Sequence, residues 1–126
     1  MFQKYLSEEG EKSSLPFSGN FMVLENKEFS NGFTTELPLQ DMIITFKETH
    51  ISLRTLEPPD ELEINIKEVL FCGNNDEKYY RIICEEDVPI LLFPGAIPEL
   101  NLPVLVTIEE NDTAVILSLQ KTLLYK

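Results

Sequence analysis

Residues 44–54 read ITFKETHISLR, with apolar and polar side chains taking turns at almost every step. A period of two belongs to an extended strand, whose successive side chains point to opposite faces. Folded back about Glu48-Thr49, the stretch puts Ile44, Phe46, Ile51 and Leu53 on one face. Thr45, Lys47, His50, Ser52 and Arg54 fall on the other, with Lys47 opposite His50 and Ile43 opposite Arg54. The alternation returns in residues 61–66 (ELEINI), where Leu62, Ile64 and Ile66 turn inward. At Lys67-Glu68 it slips, and Val69 and Phe71 carry the opposite parity. One extra residue there, a β-bulge, returns the apolar side chains to one face and bends the strand. Pairing around Gly73-Asn74-Asn75-Asp76 then sets Val69 and Phe71 opposite Ile82 and Tyr80.

Further short strands are read at residues 21–24 and, past the Ser30-Asn31-Gly32 turn signal, at 33–37. Folding the C-terminal hairpin about Glu110-Asn111 sets Ile108 opposite Thr113, Val106 opposite Val115 and Val104 opposite Leu117. The other face pairs Leu105 with Ile116 and Thr107 with Ala114. Both faces are apolar, so this hairpin must lie between layers, under an arm or at a subunit contact. Before it, residues 88–103 (VPILLFPGAIPELNLP) hold four prolines in sixteen positions. Proline lacks a ladder donor, so this segment is expected to alternate short edge strand with fixed loop.

At the N-terminus, Phe2, Tyr5 and Leu6 have the spacing of one helical face, too short to hold without docking. Residues 7–14 (SEEGEKSS) have the composition of a tether. The chain therefore divides into an N-terminal arm, 1–14, and a single β-barrel domain, 15–126. The fold class is all-β: a small antiparallel barrel, partly open, or a sandwich of seven to nine short strands, with a short helical or disordered arm.

The charge balance narrows the function. With 22 acidic against 10 basic residues the net charge is −12, and Arg54 and Arg81 are the only arginines. Such a surface repels phosphate backbones and anionic membranes, which argues against direct nucleic-acid or membrane binding. Residues 1–14 lack the apolar run of a signal peptide, so a cytoplasmic location is the default. Cys72 and Cys84 lie in apolar runs without CxxC spacing and read as reduced, buried side chains. A single histidine and the absence of G-x-S-x-G, phosphate-loop or dinucleotide motifs leave no catalytic residue, metal or cofactor to assign.

Two candidate binding surfaces emerge. Lys47, His50 and Arg54 gather on the polar face of one hairpin and could hold an anion, although such a face is also the ordinary wet side of a sheet. Phe93, Ile97 and Leu100 lie in a loop pinned by Pro94, Pro98 and Pro103, and could anchor a partner or cap the barrel. The leading expectation is a non-enzymatic interaction or regulatory module that binds a protein, basic in charge, through its acidic surface and the proline-rich loop. A homodimer through the 102–119 hairpin would also cover that hairpin's second face. The alternatives are an anion- or nucleotide-binding regulatory barrel using the Lys47/His50/Arg54 face, and an acidic inhibitor or immunity-type protein mimicking nucleic acid.

Overall fold

A computed structural model of the chain describes residues 3–38, 41–56, 59–73, 78–86, 88–97, 102–109 and 113–121. A short helix, α1 (Gln3–Ser7), precedes the strands β1 (Glu11–Ser13), β2 (Gly19–Ser30), β3 (Phe33–Glu36), β4 (Met42–Phe46) and β5 (His50–Leu56). They are followed by β6 (Pro59–Gly73), β7 (Lys78–Cys84), β8 (Ile90–Ile97), β9 (Leu102–Ile108) and β10 (Ala114–Lys121). Eight strands, β2 and β4 to β10, join neighbour to neighbour into a closed antiparallel barrel. Outside it, β1 lies against β6 and β3 against β2. Closure comes from the ladder between β2 and β10, which runs from Phe29↔Ala114 to Phe21↔Lys121. A closed wall has no edge to protect.

The β4–β5 hairpin takes the register that its alternation dictates. Ile43 faces Arg54, Ile44 faces Leu53 and Phe46 faces Ile51. The Lys47 amide donates to the His50 carbonyl at 3.0 Å, closing the turn at Glu48-Thr49. A slip of one position would carry buried Ile44, Phe46 and Ile51 to the wet face, so the register is firmly set.

β6 bends where its parity slips. The β6–β7 register shifts between Ile66 and Glu68, which makes Lys67 the extra residue, and beyond it Val69 faces Ile82 and Phe71 faces Tyr80. Before the bulge β6 pairs with β5, from Leu56↔Pro59 to His50↔Asn65, and after it with β7. One strand of fifteen residues thus serves two stretches of wall.

The last hairpin departs from its expected register by one position. Thr107 faces Val115, Val106 faces Ile116 and Leu105 faces Leu117, and the Glu109 amide donates to the Thr113 carbonyl at 2.7 Å. Both strands send odd-numbered side chains inward (Leu105, Leu117 and Leu119), so residues of like parity must stand opposite each other. With two apolar faces, hydrophobic pattern carries no penalty that would distinguish the two registers. The prolines nearby sit where a ladder is missing. Pro94 follows the end of the β7–β8 pairing at Leu92, and Pro103 precedes the start of the β9–β10 pairing at Val104.

Two apolar clusters lie on the two sides of the wall. Inside are Phe21, Ile44, Phe46, Ile51, Ile82, Leu92, Leu105 and Leu119. Phe17, in the connection leading to β2, packs its ring tilted against Phe21 at 4.7 Å and edge-on against Phe46 at 5.2 Å. Outside are Cys72, Tyr79, Leu91, Val106 and Ala114, with Tyr5 and Leu6 of α1 packed against them. Residues 11–13, whose composition alone gives a tether, acquire backbone partners as Glu11, Lys12 and Ser13 pair with Phe71, Leu70 and Val69.

Candidate functional site

The polar face of the β4–β5 hairpin forms as its register dictates, with Lys47 across the turn from His50 and Arg54 opposite Ile43. The His50 ring lies between two neighbours, its Nε2 3.2 Å from Glu63 Oε1 and its Nδ1 3.1 Å from the Thr49 hydroxyl. Arg54 stands opposite Glu61 across the β5–β6 ladder, and its Nε is buried with no hydrogen-bond partner among the described residues. Thus β6 sets Glu63 against the His50 ring and places Glu61 across the ladder from Arg54. Lys47 is exposed at the turn and borders a separate cleft.

The same face holds a hydroxyl close in sequence to the histidine, yet the two are not coupled. Ser52 donates to Glu61 Oε1 at 3.1 Å, and Thr45 donates to Asn20 Oδ1 at 2.7 Å. With both His50 nitrogens engaged and Ser52 turned to a carboxylate, no serine–histidine pair is formed in which a base could take the hydroxyl proton. The two thiols lie on opposite sides of the wall, Cys84 in the interior and Cys72 under the arm. Burial, then the charge of Glu86, pushes the Cys84 thiol up to about 11, so it stays protonated and unreactive at neutral pH. Among the described residues no group of three or more His, Cys, Asp or Glu is placed to hold a metal, and no helix is long and apolar enough to cross a membrane.

Phe93 is used by the fold. Its ring stacks on Tyr79 at 5.4 Å and meets Tyr5 edge-on at 5.6 Å. The Ile97 side chain and Leu100 lie outside the described residues. The arm is held over this layer by polar contacts as well. The Tyr79 hydroxyl donates to the Tyr5 carbonyl at 3.0 Å and lies 3.0 Å from a Glu8 carboxylate oxygen. Arg81 donates to the carbonyls of Tyr5 and Glu8 at 3.1 and 2.7 Å, filling acceptors that the end of α1 leaves open. Burial, reinforced by the hydrogen bond with Glu8, holds the Tyr79 phenol well above the usual tyrosine range. Gly10 permits the close approach: a Cβ there would stand 2.6 Å from the Cys72 sulfur and 2.9 Å from the Leu70 Cβ. The outward face of the β9–β10 hairpin, at Val106 and Ala114, is therefore covered within one chain.

Two features escape sequence reasoning. The first is the setting of β3, the strand read at 33–37, which among the described residues pairs only with β2 and has all four residues exposed, Phe33 at 76 %. Its turn was legible: Asn31 (φ 53°) and Gly32 (φ 83°) are the two left-handed residues that an Asn-Gly hairpin supplies. That β3 would have no strand on its outer edge among the described residues was not. The second is a cleft of about 580 Å³ between the β4–β5 turn, the β6 bulge and residues 13–18. It draws on three segments distant in sequence. No protein-family model, curated protein or solved structure matches the chain.

Proposed function

We propose that the chain is a non-enzymatic protein-interaction module that takes an extended, basic segment of a partner as an added strand on the outer edge of β3, which pairs with no described residue. The observation that carries this reading is the exposed four-residue strand with Phe33 uncovered at its start. An unpaired edge presents a row of backbone donors and acceptors, and a neighbouring large side chain supplies an apolar anchor. Charge selects the occupant. Glu28 and Glu36 line this hairpin, while its one lysine, Lys27, is already held by Glu25 at 3.0 Å. With a net charge of −12 behind it, the edge attracts lysine- and arginine-bearing strands and repels a second copy of itself. The interior offers a ligand little room, since Ile44, Ile51, Ile82, Leu92 and Leu119 fill it with no exposed area. A cytoplasmic setting belongs to the same reading, because both buried thiols are free, as a reducing compartment keeps them.

A photo-crosslinking side chain placed at Thr35 tests this. It should trap a partner through a basic segment, and Phe33→Ser or Thr34→Pro should abolish trapping while leaving the circular dichroism of the barrel unchanged. Trapping that is indifferent to both variants, or that returns only a second copy of the chain, overturns the proposal.

A further inference from the structure

β6 has two different neighbours on one of its edges, and they do not meet. The β5 pairing ends at Asn65 and the β1 pairing begins at Val69. Among the described residues, 66–68 between them have no strand on that side, apart from the bond of the Ile66 amide to the Thr49 carbonyl at 2.9 Å. The cleft of about 580 Å³ opens at this split, within the roughly 300–1,000 Å³ typical of small-molecule sites. The bulge at Lys67 falls in the same place, and bulges are a common means of aiming a side chain.

The lining is amphipathic. Phe17 and Ile66 contribute apolar surface, and the serines at 13, 14 and 18 contribute hydroxyls. Lys47, on the β4–β5 turn, and Lys67, on the bulge, both line the cleft, and neither side chain forms an ion pair with a described residue. In a chain with more than twice as many acids as bases, a cleft lined by as many lysines as carboxylates is a local relief from the overall negative charge. Glu48 and Glu68 stand beside them in sequence and also line the cleft. They oppose an anion and favour a ligand that brings hydrogen-bond donors or a ring to offset them.

We propose that this cleft binds an organic phosphomonoester, its phosphate held by Lys47 and Lys67 and by the serine hydroxyls, its apolar or aromatic body laid against Phe17 and Ile66. The three terminal oxygens of a phosphomonoester offer more acceptor sites and more charge than the two of a carboxylate, and so suit two ammonium groups and several hydroxyls better. The site is independent of β3 and of any protein partner.

Phenyl phosphate is the probe, titrated into the isotope-labelled full chain and followed by amide chemical shifts, with inorganic phosphate and phenol as its two halves. Shifts should gather at residues 13–18, 47–49 and 66–69, and each half should bind more weakly than the whole. Lys47→Gln and Lys67→Gln should each weaken binding about tenfold, and Glu48→Gln and Glu68→Gln should each strengthen it about two- to threefold. Added salt should weaken the wild type, and melting temperatures should confirm that each variant is folded. Shifts confined to another surface, no saturable shift at all, or lysine and glutamate variants that move affinity in the same direction each overturn the proposal.

Discussion

Strands β7 to β10 carry an apolar layer on each side, and the two layers are held by different means. The inner one gathers twelve buried residues from around the closed wall, so that exposing any of them requires opening a ladder. The outer one gathers five and is roofed by a five-residue helix and a three-residue strand. One is sealed by the topology of the barrel. The other is sealed by a strap with few contacts, the kind of region that opens locally while the rest stays folded. A sheet can therefore be apolar on both faces and still have one face that is thermodynamically detachable.

The largest effect that would sharpen this contrast is a cavity in the inner layer. Leu119→Ala removes a side chain with no exposed area and should cost about 3 kcal/mol, lowering the midpoint of urea unfolding for every probe at once. Alkaline titration comes next. The native Cys84 thiol holds its proton from its ordinary 9.0 up to about 11, whereas the unfolded thiol loses it at the lower value. The resulting stability is complete below about pH 9 and is lost as the pH rises to about 11, a change on the order of 2–3 kcal/mol. Tyr79 shifts in the same direction and extends the decline above the ordinary tyrosine range. Unfolding curves of Cys84→Ala measured across this window should be flatter than those of the wild type.

The strap should respond separately. Gly10→Val sets a side chain against Cys72 and Leu70, and overpacking of this kind costs roughly 1–3 kcal/mol. The expected outcome is rapid reaction of Cys72 with a thiol reagent, no change at Cys84, and a nearly unchanged urea midpoint. If both thiols became reactive together, the two layers would be one cooperative unit and the contrast would be broken. Smallest of all is Glu63→Gln, which removes the partner of His50 from an exposed pair and should change stability by no more than about 1 kcal/mol.

Legibility in the sequence follows the same division. The β4–β5 register and the bulge at Lys67 could be read from parity, because in both places one face is wet and a slip would be costly. The β9–β10 register could not, because Val104, Val106 and Ile108 are as apolar as the inward set and nothing penalised a shift of one. Helical spacing at Tyr5 and Leu6 announced a face in need of docking, but not that Gly10 would bring the strap against Cys72. Lys47 stands across the turn from His50, as parity places it, and it also borders a cleft that parity does not reveal. Its companion on the cleft is Lys67, which only the meeting of the β4–β5 turn with the β6 bulge brings near. Glu63, which meets the His50 ring, and Glu61, opposite Arg54, come from β6, and no local pattern in residues 44–54 could have revealed them.

The ladder between β2 and β10 has a consequence for how the protein is made. Phe21 must wait for Lys121, a hundred positions later, so during translation the barrel stays an unfinished ribbon with the flank of β2 uncovered until β10 has left the ribosome. Long-range pairing of this kind slows folding and leaves sticky intermediates in the meantime. Nascent chains halted before β10 should therefore be degraded or held by chaperones, and release of a few more residues should rescue them.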